Sequence, residues 1–299
     1  MKVLITGANG LLGQKLVERY ESNPSVEVVA TGKGANRNRP GNYSYVSMDV
    51  TSASEVSSIM AMVIPDVVIN TAAMTNVDQC ELERELCWSL NVTAVENLIR
   101  ACAENNSFLL HLSTDFIFDG ENGPYEEDDV PNPQSYYAES KLAAEQLLEK
   151  STIKWAIART MLVYGIVRDM SRSNIILWVK KNLEEGKSIP VVDDQWRTPT
   201  LAEDLAKGCA LIAEKRATGI FHISGKDMLT PFEMAMETAL FFHLNSSLIE
   251  KVNGSVFRQQ AKRPSRTGFI LTKAREELGY EPVSFREGLA LIKSQLGND

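Results

Sequence analysis

Three glycines at three-residue intervals, Gly7, Gly10 and Gly13, sit where an apolar run (Val3-Leu4-Ile5-Thr6) gives way to a helical pattern from Leu11 to Glu21. A strand that turns on glycine and feeds straight into a helix can bring its backbone close to a phosphate. One glycine makes the turn, one allows the close approach, and one lets the helix pack on the strand. The helix N-terminus then offers unpaired N–H groups and the positive end of its dipole to the anion. Gly7, Asn9, Gly10, Leu11, Leu12 and Gly13 are therefore the expected dinucleotide-binding loop, spaced one residue wider than GxGxxG.

The chain beyond this loop repeats the strand–helix rhythm. Apolar strands are expected at 26–31, 45–48, 66–70, 108–113 and 155–159, with helices at 77–105 (broken once) and 137–150. Strands that are apolar on both faces and alternate with helices form a parallel sheet covered on both sides. Later helices are expected at 174–185, 202–214, 231–242 and 285–296, and strands at 188–192 and 219–225. Thr230 caps the third of these helices, with Pro231 in its first turn. The expected architecture is α/β: a Rossmann-type doubly wound parallel sheet with a smaller, interleaved C-terminal substrate lobe. Residues 1–165 form the dinucleotide-binding domain, 187–225 partly return to it, and 166–186 with 226–299 make the substrate lobe.

Composition narrows the function. The 299 residues carry a net charge of −8, which argues against bulk nucleic-acid or acidic-membrane binding. No apolar run approaches the roughly 18 residues of a membrane helix, and the opening apolar stretch is too short for a secretory leader. A cytoplasmic protein is expected. Cys80, Cys87, Cys102 and Cys209 form no CxxC pair and read as buried free thiols. The three scattered histidines offer no zinc or nucleophile pattern. No metal ligands are assigned.

The end of the second strand selects the dinucleotide. An NAD site places a carboxylate there for the ribose 2′-hydroxyl. This chain has Thr31-Gly32-Lys33-Gly34-Ala35-Asn36-Arg37 instead, so Lys33 and Arg37 are the expected partners of a 2′-phosphate and NADPH is favoured over NADH. Asp49 and Val50 end the third strand, where they are placed beside the adenine. Thr71, Ala72 and Ala73 follow the fourth, where small residues let a cofactor lie across the sheet edge.

Tyr137 and Lys141 stand four residues apart at the start of a helix, on one face. An ammonium beside a phenol favours phenolate and is expected to lower the tyrosine toward a pKa useful for proton transfer. The lysine can also hold the nicotinamide ribose. Thr114, at the end of the fifth strand, is the hydroxyl expected to polarise a carbonyl with Tyr137. The order glycine loop, strand-end threonine, YxxxK is far more specific than any one part.

On these residues the chain resembles an extended short-chain dehydrogenase/reductase, and more narrowly the dTDP-4-dehydrorhamnose reductase family. The resemblance rests on Pro65 to Ala73 with Thr75, Val77 and Asp78, on Ser113-Thr114-Asp115-Phe116-Ile117-Phe118-Asp119-Gly120, and on later echoes at Asp194-Gln195, Pro199-Thr200 and Arg263-Pro264. It implies NAD(P)H-dependent reduction of the 4-keto group of a nucleotide-linked deoxysugar, with Thr114, Tyr137 and Lys141 as the catalytic set. It also implies that Thr75, Asp115, Phe116 and Phe118 lie near the sugar. Arg263 and Arg266 suit the sugar diphosphate, because a guanidinium grips phosphate oxygens in pairs. A homodimer and, in some members, a Mg2+ ion at a subunit contact also follow from the resemblance, with no ligands assignable here. Two alternatives remain open: a sugar-nucleotide epimerase, and a non-catalytic NADP-binding regulatory subunit resembling the methionine adenosyltransferase beta subunit. For the latter, Trp196, Phe257 and the stretch Met228–Met236 are the candidate partner surface.

Overall fold

The computed structural model describes residues 1–170, 173–257 and 260–297. Seven parallel strands make the main sheet. In chain order β1 (Lys2–Thr6), β2 (Glu27–Gly32) and β3 (Ser44–Ser47) run to one edge. The chain then returns across β1 to add β4 (Val67–Asn70), β5 (Phe108–Thr114) and β6 (Trp155–Thr160) on the other side. The last strand of the sheet, Gly219–His222, shorter than the 219–225 expected, pairs in parallel with β6. The direction of winding thus reverses between β1 and β4. In such a sheet the carboxyl ends of the strands at the reversal open a crevice for ligand.

The alternation of side chains along each strand builds a core on each face. Val3, Ile5, Val28, Ala30, Val67, Ile69, Phe108 and Leu110 pack under α1 (Leu11–Glu21) and the later helix Ala202–Lys215. Leu4, Val29, Val68 and Leu109 pack under α2 (Ala53–Val63), under Ala94–Asn105 and under α6 (Tyr136–Glu149). Each such aliphatic side chain contributes about 1.5–3 kcal/mol when fully buried. Helix α2 was not anticipated. Its signals are present: Ser52 accepts from the Glu55 N–H, and Val56, Ile59, Met60 and Val63 repeat at helical spacing to bury one face. The expected long helix at 77–105 resolves into α3 (Val77–Leu82), α4 (Arg84–Trp88), a widened turn at Ser89–Thr93 and α5 (Ala94–Asn105).

A second layer forms from α7 (Ile175–Glu184), β8 (Ile189–Val192), α9 (Pro231–Phe241) and β11 (Ile249–Val252), where β7 (Val163–Tyr164) pairs with β9 (Thr200–Leu201), and α8 is Ala202–Lys215 and β10 Gly219–His222. Strand β8 pairs in parallel with β11 and stays out of the main sheet. Of residues 187–225, the part lying on the main sheet is therefore α8 and β10. Val179, Leu183, Ile189, Val191, Ala235 and Ala239 close the small core. Thr230 and Glu233 form a reciprocal capping box at α9, as do Ser284 and Glu287 at α10 (Phe285–Leu296).

Candidate active site

The glycine loop lies at the carboxyl end of β1, beside the sheet reversal. Gly7 has φ +66°, and a Cβ there would sit 2.7 Å from the Ala72 nitrogen. A Cβ on Gly13 would meet Ala8 Cα at 2.6 Å, whereas one on Gly10 finds only Gly7 O, at 3.3 Å. Two of the three glycines are therefore enforced by backbone packing. Gly10 caps α1 with no side-chain acceptor, so the N–H groups of Leu11 and Leu12 are left for an anion. This cradle fits a pyrophosphate.

Asn9 works as a brace. Its amide nitrogen donates to Ala35 O (2.9 Å) and to the Tyr45 hydroxyl (3.0 Å), and its oxygen accepts from the Arg37 N–H (2.9 Å). The loop after β2 is thereby fastened to the glycine loop, and no carboxylate ends β2. Lys33 and Asp49 meet each other at 2.7 Å. That pairing and two bonds from Thr51 hold the Asp49 carboxyl down at about 2. Arg37 is exposed alongside. Val50 is buried, and its carbonyl accepts from Asn97. Thr71 donates to Thr6 O (2.6 Å), with Ala72 and Ala73 following on the rim.

Thr114 and Tyr137 stand at the end of β5 and the start of α6. Ser135 caps α6, and Tyr137 is only 8% exposed. Burial pushes its phenol well above the ordinary tyrosine range, with a hydrogen bond to Thr114 opposing in part. The expected lowering by Lys141 is not found. Lys141 Nζ turns the other way: it donates to Leu112 O at 2.6 Å and lies 3.1 Å from His111 Nε2. Burial holds its own pKa down at about 8. Phe116 is edge-on to the Tyr137 ring, centroids 6.0 Å apart, and shares a cluster with Met74, Cys80 and Cys87.

Several residues expected near the sugar do something else. Phe118 is fully buried, stacked on Tyr125 at 4.1 Å, and cannot touch a ligand. Asp115 is 2% exposed and clamped: Oδ2 accepts from the Thr267 hydroxyl (2.5 Å) and lies 3.6 Å from Arg197 Nε, while Oδ1 accepts from Thr114 (3.1 Å). Burial raises its carboxyl above the ordinary range, against the pull of Arg197. Arg197 also donates to Trp196, Pro264 and Ser265 carbonyls, so one buried cluster joins the end of β5 to both later segments of the lobe. Arg263 is committed to Asp78, with Nη2 to Oδ2 at 2.6 Å and a second contact at 3.3 Å. Thr75 and Arg266 are exposed. Trp196 and Phe257 are both 38% exposed, but Met234 is buried in the lobe core.

Sequence reasoning missed Asn70 and His111 as site residues. Asn70 bridges Thr6 and His111, and His111 in turn reaches Lys141. All four cysteines are buried free thiols. Among the described residues no group of three or more His, Cys, Asp or Glu side chains is arranged to hold a metal, so no residue is assigned to Mg2+. Among the same residues no helix is long and apolar enough to cross a membrane.

Comparison with known proteins gives a consistent picture. The family model for the RmlD substrate binding domain matches residues 1–297. A dTDP-4-dehydrorhamnose reductase of Aggregatibacter actinomycetemcomitans is 31% identical, over 98% of each chain. The methionine adenosyltransferase 2 subunit beta of Bos taurus is 33% identical, over 85% of this chain and 76% of its own. Among solved structures, the dTDP-4-dehydrorhamnose reductase of Bacillus anthracis in complex with NADP superposes with a TM-score of 0.86 at 28% identity. The match covers 98% of this chain and 99% of that one.

Proposed function

The chain belongs to the RmlD substrate binding domain family and is an NAD(P)-dependent oxidoreductase of the dTDP-4-dehydrorhamnose reductase type, and on that premise we propose that it reduces the 4-keto group of a nucleotide-linked deoxysugar, dTDP-4-dehydro-L-rhamnose, with NADPH. The observation that supports this reading is that Thr114 ends β5 and Tyr137 lies in the first turn of α6, on the same carboxyl edge of the parallel sheet as the glycine loop after β1.

The cradle would hold the pyrophosphate, and Arg37 with Lys33 the 2′-phosphate. A bound reduced nicotinamide supplies hydride to the carbonyl carbon. The residues of the chain supply the rest. Burial keeps the Tyr137 phenol protonated across the working pH range, so it enters the reaction as a proton donor to the carbonyl oxygen. The Thr114 hydroxyl, beside that phenol and donating to Asp115 in this structure, would turn its proton to the same oxygen and polarise the carbonyl. Lys141, one helical turn along from Tyr137 and titrating near pH 8, would return the proton that Tyr137 gives up once its amine swings from Leu112 and His111 toward the phenol. Phe116 walls the Tyr137 ring on one edge and limits water beside the phenol.

The test is loss of NADPH absorbance on adding the keto sugar to the purified protein, with Tyr137→Phe as control. Turnover abolished in the variant supports the reading; no turnover by a protein that still binds NADPH refutes the rhamnose assignment. The similarity to the Bos taurus subunit supports a second reading, an NADP-binding partner protein without turnover. That reading predicts NADPH binding with no keto-sugar reduction.

A further inference from the structure

The buried polar chain behind Lys141 has a direction imposed on it. The Asn70 carboxamide is oriented without ambiguity, because the Ala72 backbone N–H can only donate and it lies 3.2 Å from Oδ1. The Thr6 hydroxyl donates to the same oxygen at 2.6 Å. Asn70 Nδ2 therefore faces His111 Nδ1, at 3.0 Å, and an amide nitrogen is a donor, so Nδ1 must accept. A neutral imidazole that accepts at Nδ1 carries its proton at Nε2. That Nε2–H points at Lys141 Nζ, 3.1 Å away. An ammonium has no lone pair to receive it; an amine does. The amine also keeps a proton for Leu112 O at 2.6 Å.

We propose that His111 is the positioning residue of this site: with its tautomer set by Thr6 and Asn70, it presents Nε2–H to Lys141 and favours the amine form of that side chain, holding it along β5. The inference deepens the reductase reading and rests on it for its catalytic meaning. His111 is 1% exposed, and burial above all keeps it uncharged; whenever Lys141 carries its proton, that charge opposes a second one on the ring as well. The other titratable groups acting on Lys141 are Glu145 of its own helix and Cys87 of α4. Glu145 favours the ammonium but is shared with Arg159 of β6 at 2.8 Å. His111 is thus the neighbour that opposes the charge through a hydrogen bond. A lysine held in this way takes up a proton near neutral pH and passes it on, where one paired to a carboxylate keeps it.

The test is made by NMR on the intact protein and needs no turnover. Long-range nitrogen–proton spectra of histidine-labelled protein report which ring nitrogen is protonated. The wild-type His111 ring, identified by its proximity to Lys141, is expected to be neutral and protonated at Nε2. The ε-carbon of Lys141 is then titrated in the wild type and in Asn70→Asp. A carboxylate at that position accepts from Nδ1–H, shifts the ring to the other tautomer and makes Nε2 an acceptor for the ammonium. The Lys141 titration is expected to rise by at least about one pH unit, a tenfold change in its protonation constant. Should Asn70→Asp fail to fold, the wild-type tautomer alone decides. A ring protonated at Nδ1, or a titration unmoved in Asn70→Asp, overturns the proposal. Absence of keto-sugar reduction counts instead against the catalytic reading, and the two failures are told apart.

Discussion

Replacing Asp115 with alanine separates its two possible uses, as a sugar contact or as a clamp between the sheet and the lobe. The structure makes it a clamp. Its Oδ2 is 3.6 Å from Arg197 Nε, both side chains are 6% exposed or less, and at an effective dielectric near 20 such a pair attracts by roughly 4–5 kcal/mol. Removing Asp115 also recovers its desolvation cost, which is why its carboxyl is raised. Arg197 keeps its carbonyl acceptors at Trp196, Pro264 and Ser265, but its charge is left buried and unpaired, and Thr267 loses its acceptor. The net expectation is a loss of about 3 kcal/mol, the low end of what breaking a buried pair costs. In a chain of this size that lowers the melting temperature by roughly 5 °C. Denaturant and thermal melts measure it. The double variant Asp115→Ala/Arg197→Met should be less destabilised than the sum of the singles by at least about 1 kcal/mol. An unchanged melt accompanied by a tenfold rise in substrate KM would refute the reasoning and restore Asp115 to the sugar.

Three further expectations follow from the site. Gly13→Ala forces a Cβ to 2.6 Å from Ala8 Cα and should abolish NADPH binding, whereas Gly10→Ala, with 3.3 Å to Gly7 O, should keep it within about tenfold, as calorimetry would show. Tyr137→Phe should cut kcat by about 10²–10⁴-fold and leave NADPH affinity within a few fold, since the lost hydroxyl serves proton transfer. Lys141 titrates near 8 in the folded protein against 10.5 ordinarily, so the unfolded chain binds more protons between those values. Its contribution therefore rises as pH climbs from about 8 toward 10.5, by about 3 kcal/mol in all, and Lys141→Met should flatten that rise in urea melts.

The parts of the fold that were readable in the sequence were those written in local chemistry. Gly7 and Gly13 are dictated by contacts with residues close in the turn and at the next strand end, and apolar runs marked every strand of the main sheet. Helix α2 escaped notice although Ser52 and Glu55 spell a cap, because the unbroken apolar run Ile59–Ile64 blurs its helical period. Side-chain direction beyond a strand end is harder. The tight turn at Asp115–Ile117 sends Phe118 onto Tyr125 and turns Asp115 toward Thr267, some 150 residues along the chain. Spacing cannot show such a meeting. The same holds for Lys141, which the helical period places beside Tyr137 but whose amine is drawn off by Leu112 and His111 of the neighbouring strand. The Lys33–Asp49 pair, too, joins two residues whose separate roles were legible while their contact was not.

The reductase account stands or falls on where the hydride goes. NADPH carrying deuterium at the transferable position of the nicotinamide should be incubated with the protein and dTDP-4-dehydro-L-rhamnose, and the sugar product analysed by mass spectrometry. The account predicts one deuterium at C4 of a reduced sugar, formed by the wild type and not by Tyr137→Phe. A sugar recovered without label, whether epimerised or unchanged, while NADPH remains bound and unoxidised, would contradict it.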